Sequence, residues 1–188
     1  GSEMCIRDSK LDRLEETLDP AGRKESYTYD SVGNLTKKTV NDTRVTSYAY
    51  DANGNLTSLT NALGQTETKK YDNMNRLVQE TDATGAKTTY QYDGKGQLLS
   101  STDGNGNTTA VAYDGNGNVI SVTDGEGRQV RYAYDLADRL TEAIAGDASY
   151  ENRNTYTYDE VGNLTSTTDG NGCLLYTSPS PRDGLLSR

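Results

Sequence analysis

Oxygen-bearing side chains stand at alternate positions in two stretches, Asp103-Gly104-Asn105-Gly106-Asn107 and Asp114-Gly115-Asn116-Gly117-Asn118. Calcium loops space their ligands in this way. The sixth loop position, however, is Thr108 or Val119 instead of the Gly a calcium loop needs, and a nonapeptide calcium roll would repeat every nine residues. Turn chemistry explains both stretches more simply, because Asp suits the first position of a type I turn and Gly supplies a left-handed residue. Asp30, Asp51 and Asp72 could in principle act as paired acids. They recur once per repeating unit, whereas a catalytic pair is normally unique, so they are assigned a structural role. With His 0, the commonest general base, proton shuttle and zinc ligand are all missing. No catalytic, cofactor or metal residue is assigned, and the chain is expected not to be an enzyme.

These residues sit in a repeat. The pair Tyr-Asp recurs at a constant interval, at Tyr29, Tyr50, Tyr71, Tyr92, Tyr113 and Tyr134, and then after a slightly longer one at Tyr158. A second Tyr stands two residues earlier at Tyr27, Tyr48, Tyr90, Tyr132 and Tyr156. Four residues after the Tyr of Tyr-Asp comes Gly33, Gly54, Gly96, Gly117 or Gly162, replaced by Asn75 and Asp138 in two copies. Six after it comes Leu35, Leu56, Leu77, Leu98, Val119, Leu140 or Leu164. A second pair follows at Asn61/Gly64, Asp82/Gly85, Asp103/Gly106, Asp124/Gly127 and Asp169/Gly172, and Leu14, Asp19 and Gly22 keep the same register. Tyr29, Asp30, Tyr50, Asp51, Tyr71, Tyr92, Tyr113, Tyr134 and Tyr158, with these Gly and Leu or Val residues, form the repeat's structural set.

Each unit reads as two strands and two turns. Tyr, Thr, Val and Leu alternate with polar residues over five to seven positions before Asp-x-x-Gly interrupts them. About a dozen short antiparallel strands are therefore expected over residues 24–172. Leu11, Leu14 and Leu18 fall at helical spacing, but Asp12-Arg13-Leu14 aligns, three units on, with Asn75-Arg76-Leu77 in the hairpin pattern. A three-residue first loop with a Gly bulge puts Tyr92 opposite Leu98, Tyr50 opposite Leu56 and Tyr113 opposite Val119. Because side chains alternate with period two, an odd repeat needs one even loop to keep all the tyrosines on one face. Asp103–Gly106 is expected to supply it as a four-residue loop, bringing Val111 beside Leu98. Tyr29 then lines up with Tyr48 two strands away. The longer spacing before Tyr158 is expected to lengthen a turn at Gly146-Asp147-Ala148-Ser149, with a bulge preserving the face of Tyr158.

Composition agrees with a thin sheet. Hydrophobic residues make up 32%, below the usual share for a thick core, and the aromatics are Tyr 14, Phe 0 and Trp 0. Tyr rings carry a polar tip and suit half-buried strands. The net charge of -9, without a basic stripe, argues against a nucleic-acid partner, and no apolar run is long enough to span a membrane. The sequons at Asn34, Asn41, Asn55, Asn107 and Asn163 are mostly by-products of the repeat. Gly1–Ser9 and Cys173–Arg188, which hold both cysteines, share neither its composition nor its spacing. They resemble translated sequencing adapter joined to a metagenomic fragment, leaving 10–172 as the repeat region.

The units Tyr27-Thr28-Tyr29-Asp30-Ser31-Val32-Gly33-Asn34-Leu35 and Tyr156-Thr157-Tyr158-Asp159-Glu160-Val161-Gly162-Asn163-Leu164 resemble the YD repeats of the Rhs family. That family takes in bacterial polymorphic toxins, toxin-complex shell subunits, wall-associated proteins and the animal teneurins. The resemblance implies an all-β fold of repetitive antiparallel hairpins in a curved, spiralling sheet, part of a hollow shell. It also implies a secreted or cell-surface location. The partners it implies are the rest of the shell and an enclosed C-terminal toxin domain. The alternative is a surface adhesion or carbohydrate-binding array. Against that resemblance, the repeats within residues 10–172 are expected to be too few to close a shell, and neither the repeat-terminating segment nor a toxin domain is recognised among these residues. Asp19-Pro20-Ala21-Gly22 is similar to the Asp-Pro-x-Gly of the family's self-cleaving segment, but it falls on an ordinary second turn.

Overall fold

A computed structural model describes residues 5–8, 13–147 and 150–177. These fall into two compact units, residues 1–90 and 91–188. In the first, β1 (Cys5–Asp8), β2 (Leu14–Leu18), β3 (Lys24–Tyr29) and β4 (Leu35–Val40) precede β5 (Arg44–Tyr50), β6 (Leu56–Thr60), β7 (Thr66–Tyr71) and β8 (Leu77–Thr81). The division falls inside β9 (Lys87–Tyr92). The second unit holds β10 (Leu98–Thr102), β11 (Thr108–Tyr113), β12 (Val119–Thr123) and β13 (Gln129–Tyr134), then β14 (Leu140–Asp147), β15 (Tyr150–Tyr158), β16 (Leu164–Thr168) and β17 (Leu174–Thr177). Within each unit every strand pairs antiparallel with its neighbours in sequence, and no helix occurs among the described residues. The fold is all-β and built of repeated hairpins. Leu14–Leu18 is a strand, so the apolar spacing there is not helical.

The loop expected at Asp103–Gly106 does not form. Thr102 pairs with Thr108, the Asp103 N–H donates to Asn107 O at 2.9 Å, and the Gly106 N–H donates to Asp103 O at 3.0 Å. The first turn at Asp93 closes in the same way, with Asp93 N–H to Gln97 O at 2.9 Å and Gly96 N–H to Asp93 O at 3.2 Å. Both turns are therefore odd, three-residue loops. A bulge restores the parity instead. Ala112 faces Ser121 while Tyr113 faces Val119, so Ile120 is left over, and Thr36, Thr57, Val78, Thr141 and Thr165 are left over at the equivalent steps. One extra residue per unit flips the alternation once, which is what an odd repeat length requires. The face is kept: Thr28 pairs with Lys37 and Lys37 with Ser47, which sets Tyr48 two strands from Tyr29.

The longer unit also differs from expectation. Its additional residues lengthen the strands, with Asp147 paired to Tyr150 and the register unbroken from there to Glu142–Thr155. Ala148 and Ser149 lie outside the described residues. A two-residue connection is even, so together with the bulge at Thr141 the alternation flips twice, as the even spacing from Tyr134 to Tyr158 demands. A further turn lacking Asp-x-x-Gly joins β4 to β5, where Asn41 and Asp42 take φ of 51° and 57°. Asn and Asp are the side chains most tolerant of that conformation. At the termini, Cys5–Asp8 pairs with β2 and Leu174–Thr177 with β16. Gly1–Met4, Ser9 and residues 178–188 lie outside the described residues.

Among the described residues no side chain, apolar or polar, is buried. In each unit the strands form a layer whose faces are half-covered by their own Tyr, Leu and Thr side chains, in place of a closed core.

Candidate functional site

The tyrosine face is built on the bulge. Tyr29 pairs with Leu35, Tyr50 with Leu56, Tyr71 with Leu77, Tyr113 with Val119, Tyr134 with Leu140 and Tyr158 with Leu164. Tyr92 and Leu98 flank the turn closed by Asp93 and Gln97. On its other side each such Leu or Val lies two residues past the last ladder pair. Ser100–Ala110 is the last between β10 and β11, so Leu98 has no backbone partner on β11 and the expected closeness to Val111 is replaced by another contact. The Tyr113 hydroxyl donates to Leu98 O at 3.0 Å. Tyr29 reaches Leu14 O at 2.9 Å, Tyr71 Leu56 O at 3.0 Å, Tyr134 Val119 O at 3.0 Å and Tyr158 Leu140 O at 2.8 Å. The phenol thus satisfies a carbonyl that the splayed ladder leaves open. Tyr50 departs from the row. Among the described residues its hydroxyl makes no hydrogen bond, and burial, then the charges of Tyr48 and Asp30, push its pKa up.

The turn carboxylates are spent on the backbone. Asp51 Oδ1 accepts the Asn53 and Asn55 N–H groups at 2.9 Å, and Oδ2 accepts the Asn55 side-chain amide at 2.9 Å. Asp103, Asp114 and Asp159 repeat the arrangement with Asn107, Asn118 and Asn163. In the other form Arg Nε replaces the amide at 2.7 Å, in Arg76 to Asp72, Arg128 to Asp124 and Arg139 to Asp135. The side-chain amide of Asn55, then its backbone N–H, hold Asp51 below the ordinary carboxylate range, and the Arg128 side chain does the same for Asp124. Carboxylates so occupied are poor general bases and poor metal ligands. The described residues contain no group of three or more His, Cys, Asp or Glu side chains able to hold a metal. Asp19-Pro20-Ala21-Gly22 is one of these turns, with Asp19 Oδ1 accepting Ala21 N–H at 2.9 Å and Arg23 N–H at 2.8 Å.

Gly33, Gly54, Gly96, Gly117 and Gly162 occupy the left-handed position, with φ from 86° at Gly54 to 105° at Gly33. Asn75 and Asp138 take the same conformation at 61° and 59°. The residue five after the Tyr of each Tyr-Asp was not singled out in the sequence, although it is Asn, Gln or Arg throughout and, where it is Asn or Arg, closes the carboxylate cage. Its signal was the constant amide or guanidinium beside the apolar position. In the first unit the Asp30 and Asp51 turns border an open groove lined by Asn34, Tyr48, Tyr50 and Asn53.

A family model described as the teneurin YD-shell matches residues 11–143. The chain belongs to the teneurin YD-shell family. No curated protein matches it. Among solved structures, the YD-shell chain is similar to a Photorhabdus luminescens Tc holotoxin pore, at 20% identity and a TM-score of 0.64, over 82% of this chain and 9% of that one. It is also similar to TcdB2-TccC3-Cdc42, at 17% identity and a TM-score of 0.56, over 88% of this chain and 11% of that one. TcdB2-TccC3 without its hypervariable C-terminal region gives 17% identity and a TM-score of 0.57, with the same coverage of 88% and 11%. The YD-shell chain thus spans about a tenth of each of these three solved chains, and at these identities the likeness is one of fold. The shared fold is the repeated antiparallel hairpin of the YD repeat. Among the described residues no helix is long and apolar enough to cross a membrane.

Proposed function

We propose that this chain is a structural segment of a large secreted or surface-delivered Rhs-type protein, contributing to a β-shell that encloses a toxin payload. One observation carries the reading: the carboxylates that recur in the turns are consumed in closing their own turns, the Asn53 and Asn55 amides in joining one turn to the next, and the Tyr113 and Tyr134 hydroxyls on neighbouring strands. Such a surface serves as a wall rather than a reaction centre. The partners are then the remaining repeats of the same polypeptide and a C-terminal toxic domain within them. The test is the full-length gene. A variable C-terminal domain following the repeats, beside a gene for a neutralising partner, is the expected arrangement, and the whole protein should shield that domain from protease. A surface anchor in its place would overturn the reading.

Adhesion or carbohydrate binding is the second reading, favoured by the groove in which Tyr48 and Tyr50 stand beside Asn34 and Asn53. Aromatic faces flanked by amides suit sugar rings. Glycan binding by the full chain that is lost on Tyr48→Ala would favour it over the shell.

A further inference from the structure

The first turns differ from one another in a fixed order. Arg13, Arg76 and Arg139 recur at every third unit, and Asn75 and Asp138, Asn53 and Asn116, and Asn55 and Asn118 are separated by the same three units. Three kinds of turn therefore succeed one another: one carrying Arg, one centred on Asp30, Asp93 or Asp159, and one carrying two Asn. Their side chains reach forward to the next turn. Arg13 Nη1 donates to Asp30 O at 3.3 Å and its guanidinium lies 5.3 Å from the Tyr29 ring centre. Arg139 repeats this on Asp159 O at 3.1 Å and on Tyr158 at 5.0 Å. In the second unit Lys95 Nζ and Gln97 Nε2 donate to Gly115 O and Gly117 O at 3.2 and 3.3 Å. The Asn pair then donates to the left-handed residue of the Arg turn, at 2.9 and 2.8 Å for Asn53 and Asn55 on Asn75, and at 2.8 and 2.7 Å for Asn116 and Asn118 on Asp138.

We propose that the first turns are keys that determine which hairpin follows which, so that the sheet is built in blocks of three hairpins. Asn75 and Asp138 are the decisive positions. Gly occupies that conformation without steric cost, and five equivalent turns use it. Only a side chain with an acceptor oxygen can receive the two amides of the preceding turn, and in both units such a side chain stands where an Asn pair precedes it. Arg139, beside Asp138, then reaches the Asp159 turn, which has no such pair, so the contacts do not interchange.

The test uses the sign of one substitution in the full chain. If Asp138 were merely tolerated, Asp138→Gly would relieve a strained backbone and raise the melting midpoint by a few degrees. The key requires the reverse: a lower midpoint, and several-fold faster amide exchange across the neighbouring turn at residues 114–118. Asp138→Asn should keep both near their starting values, since Asn75 does the same work in the first unit. With Asn116 and Asn118 both replaced by Ala, the loss from Asp138→Gly should largely vanish. A raised midpoint, unchanged exchange at 114–118, or full additivity with the Asn replacements would each overturn the proposal. Should Asp138→Gly fail to fold, Asn75→Gly puts the same question to the turn at residues 51–55.

Discussion

Tyr50 and Tyr71 occupy equivalent places in successive units, yet only Tyr71 finds a carbonyl for its hydroxyl. Tyr71→Phe should cost about 0.5–1.5 kcal/mol, the usual net worth of an intramolecular hydrogen bond, because Leu56 O loses its donor. Tyr50→Phe removes a hydroxyl without a partner and should change stability by less than about 0.5 kcal/mol, in either direction. Urea unfolding of both variants checks the contrast, and equal losses would show that the ring and not the hydroxyl matters. Glu25 supplies a pH dependence. The Tyr27 hydroxyl at 2.6 Å and the Lys38 ammonium at 3.0 Å lower its pKa to about 2 from an ordinary 4.5. A depressed folded value means that the stabilisation is complete above the unfolded pKa and is lost as the pH falls through the folded one. Asp51, Asp103, Asp114 and Asp159 shift in the same direction. The denaturation midpoint should therefore hold above about pH 5 and fall steadily toward pH 2. Glu25→Gln should flatten that slope, and an unchanged slope would remove Glu25 from the account.

At the scale of the hairpin, two glycines separate close approach from open turn. A Cβ on Gly125 would lie 2.6 Å from Asn107 Cβ and 3.0 Å from its Cα, so Gly125→Ala must push the adjoining second turn aside. Overpacking of that kind costs about 1–3 kcal/mol. Gly115 has nothing within 4 Å of the same atom and no left-handed φ, so Gly115→Ala should be neutral or stabilise by up to about 1 kcal/mol. Thermal melts of the pair check the order, which fails if Gly115→Ala is the more harmful. The strands and turns themselves were legible because Asp-x-x-Gly and alternating Tyr and Thr act locally. The pairing of Tyr113 with Val119 followed from loop length alone. The bulge was not legible. Ile120, Thr36 and Thr165 look like ordinary strand residues, and parity says only that one flip per unit is needed, not whether a loop or a strand supplies it. The carboxylate cage was half legible, since its Asp was marked by the turn and its fifth residue by nothing beyond a recurring amide or guanidinium.

For the molecule as a whole, the absence of any buried side chain among the described residues sets the expectation. Ordering the backbone costs about 1–2 kcal/mol per residue, and half-covered Tyr, Leu and Val side chains recover only part of what a closed core would. Apolar residues also stand at turn tips, with Val32 and Val161 each 82% exposed and Leu136 fully so. Surfaces of this kind associate, and the net charge of -9 opposes association only while salt is low. The isolated chain should therefore melt at low temperature with weak cooperativity. It should also sediment as a larger species at high salt than at low salt. Sedimentation velocity at two ionic strengths, with melting of the soluble fraction, measures both. A monomer at each salt concentration, melting cooperatively above about 60 °C, the upper part of the ordinary range for mesophile domains, would mean that the hairpin-to-hairpin bonds and the tyrosine layer stabilise the sheet without the covering that a complete shell would give it.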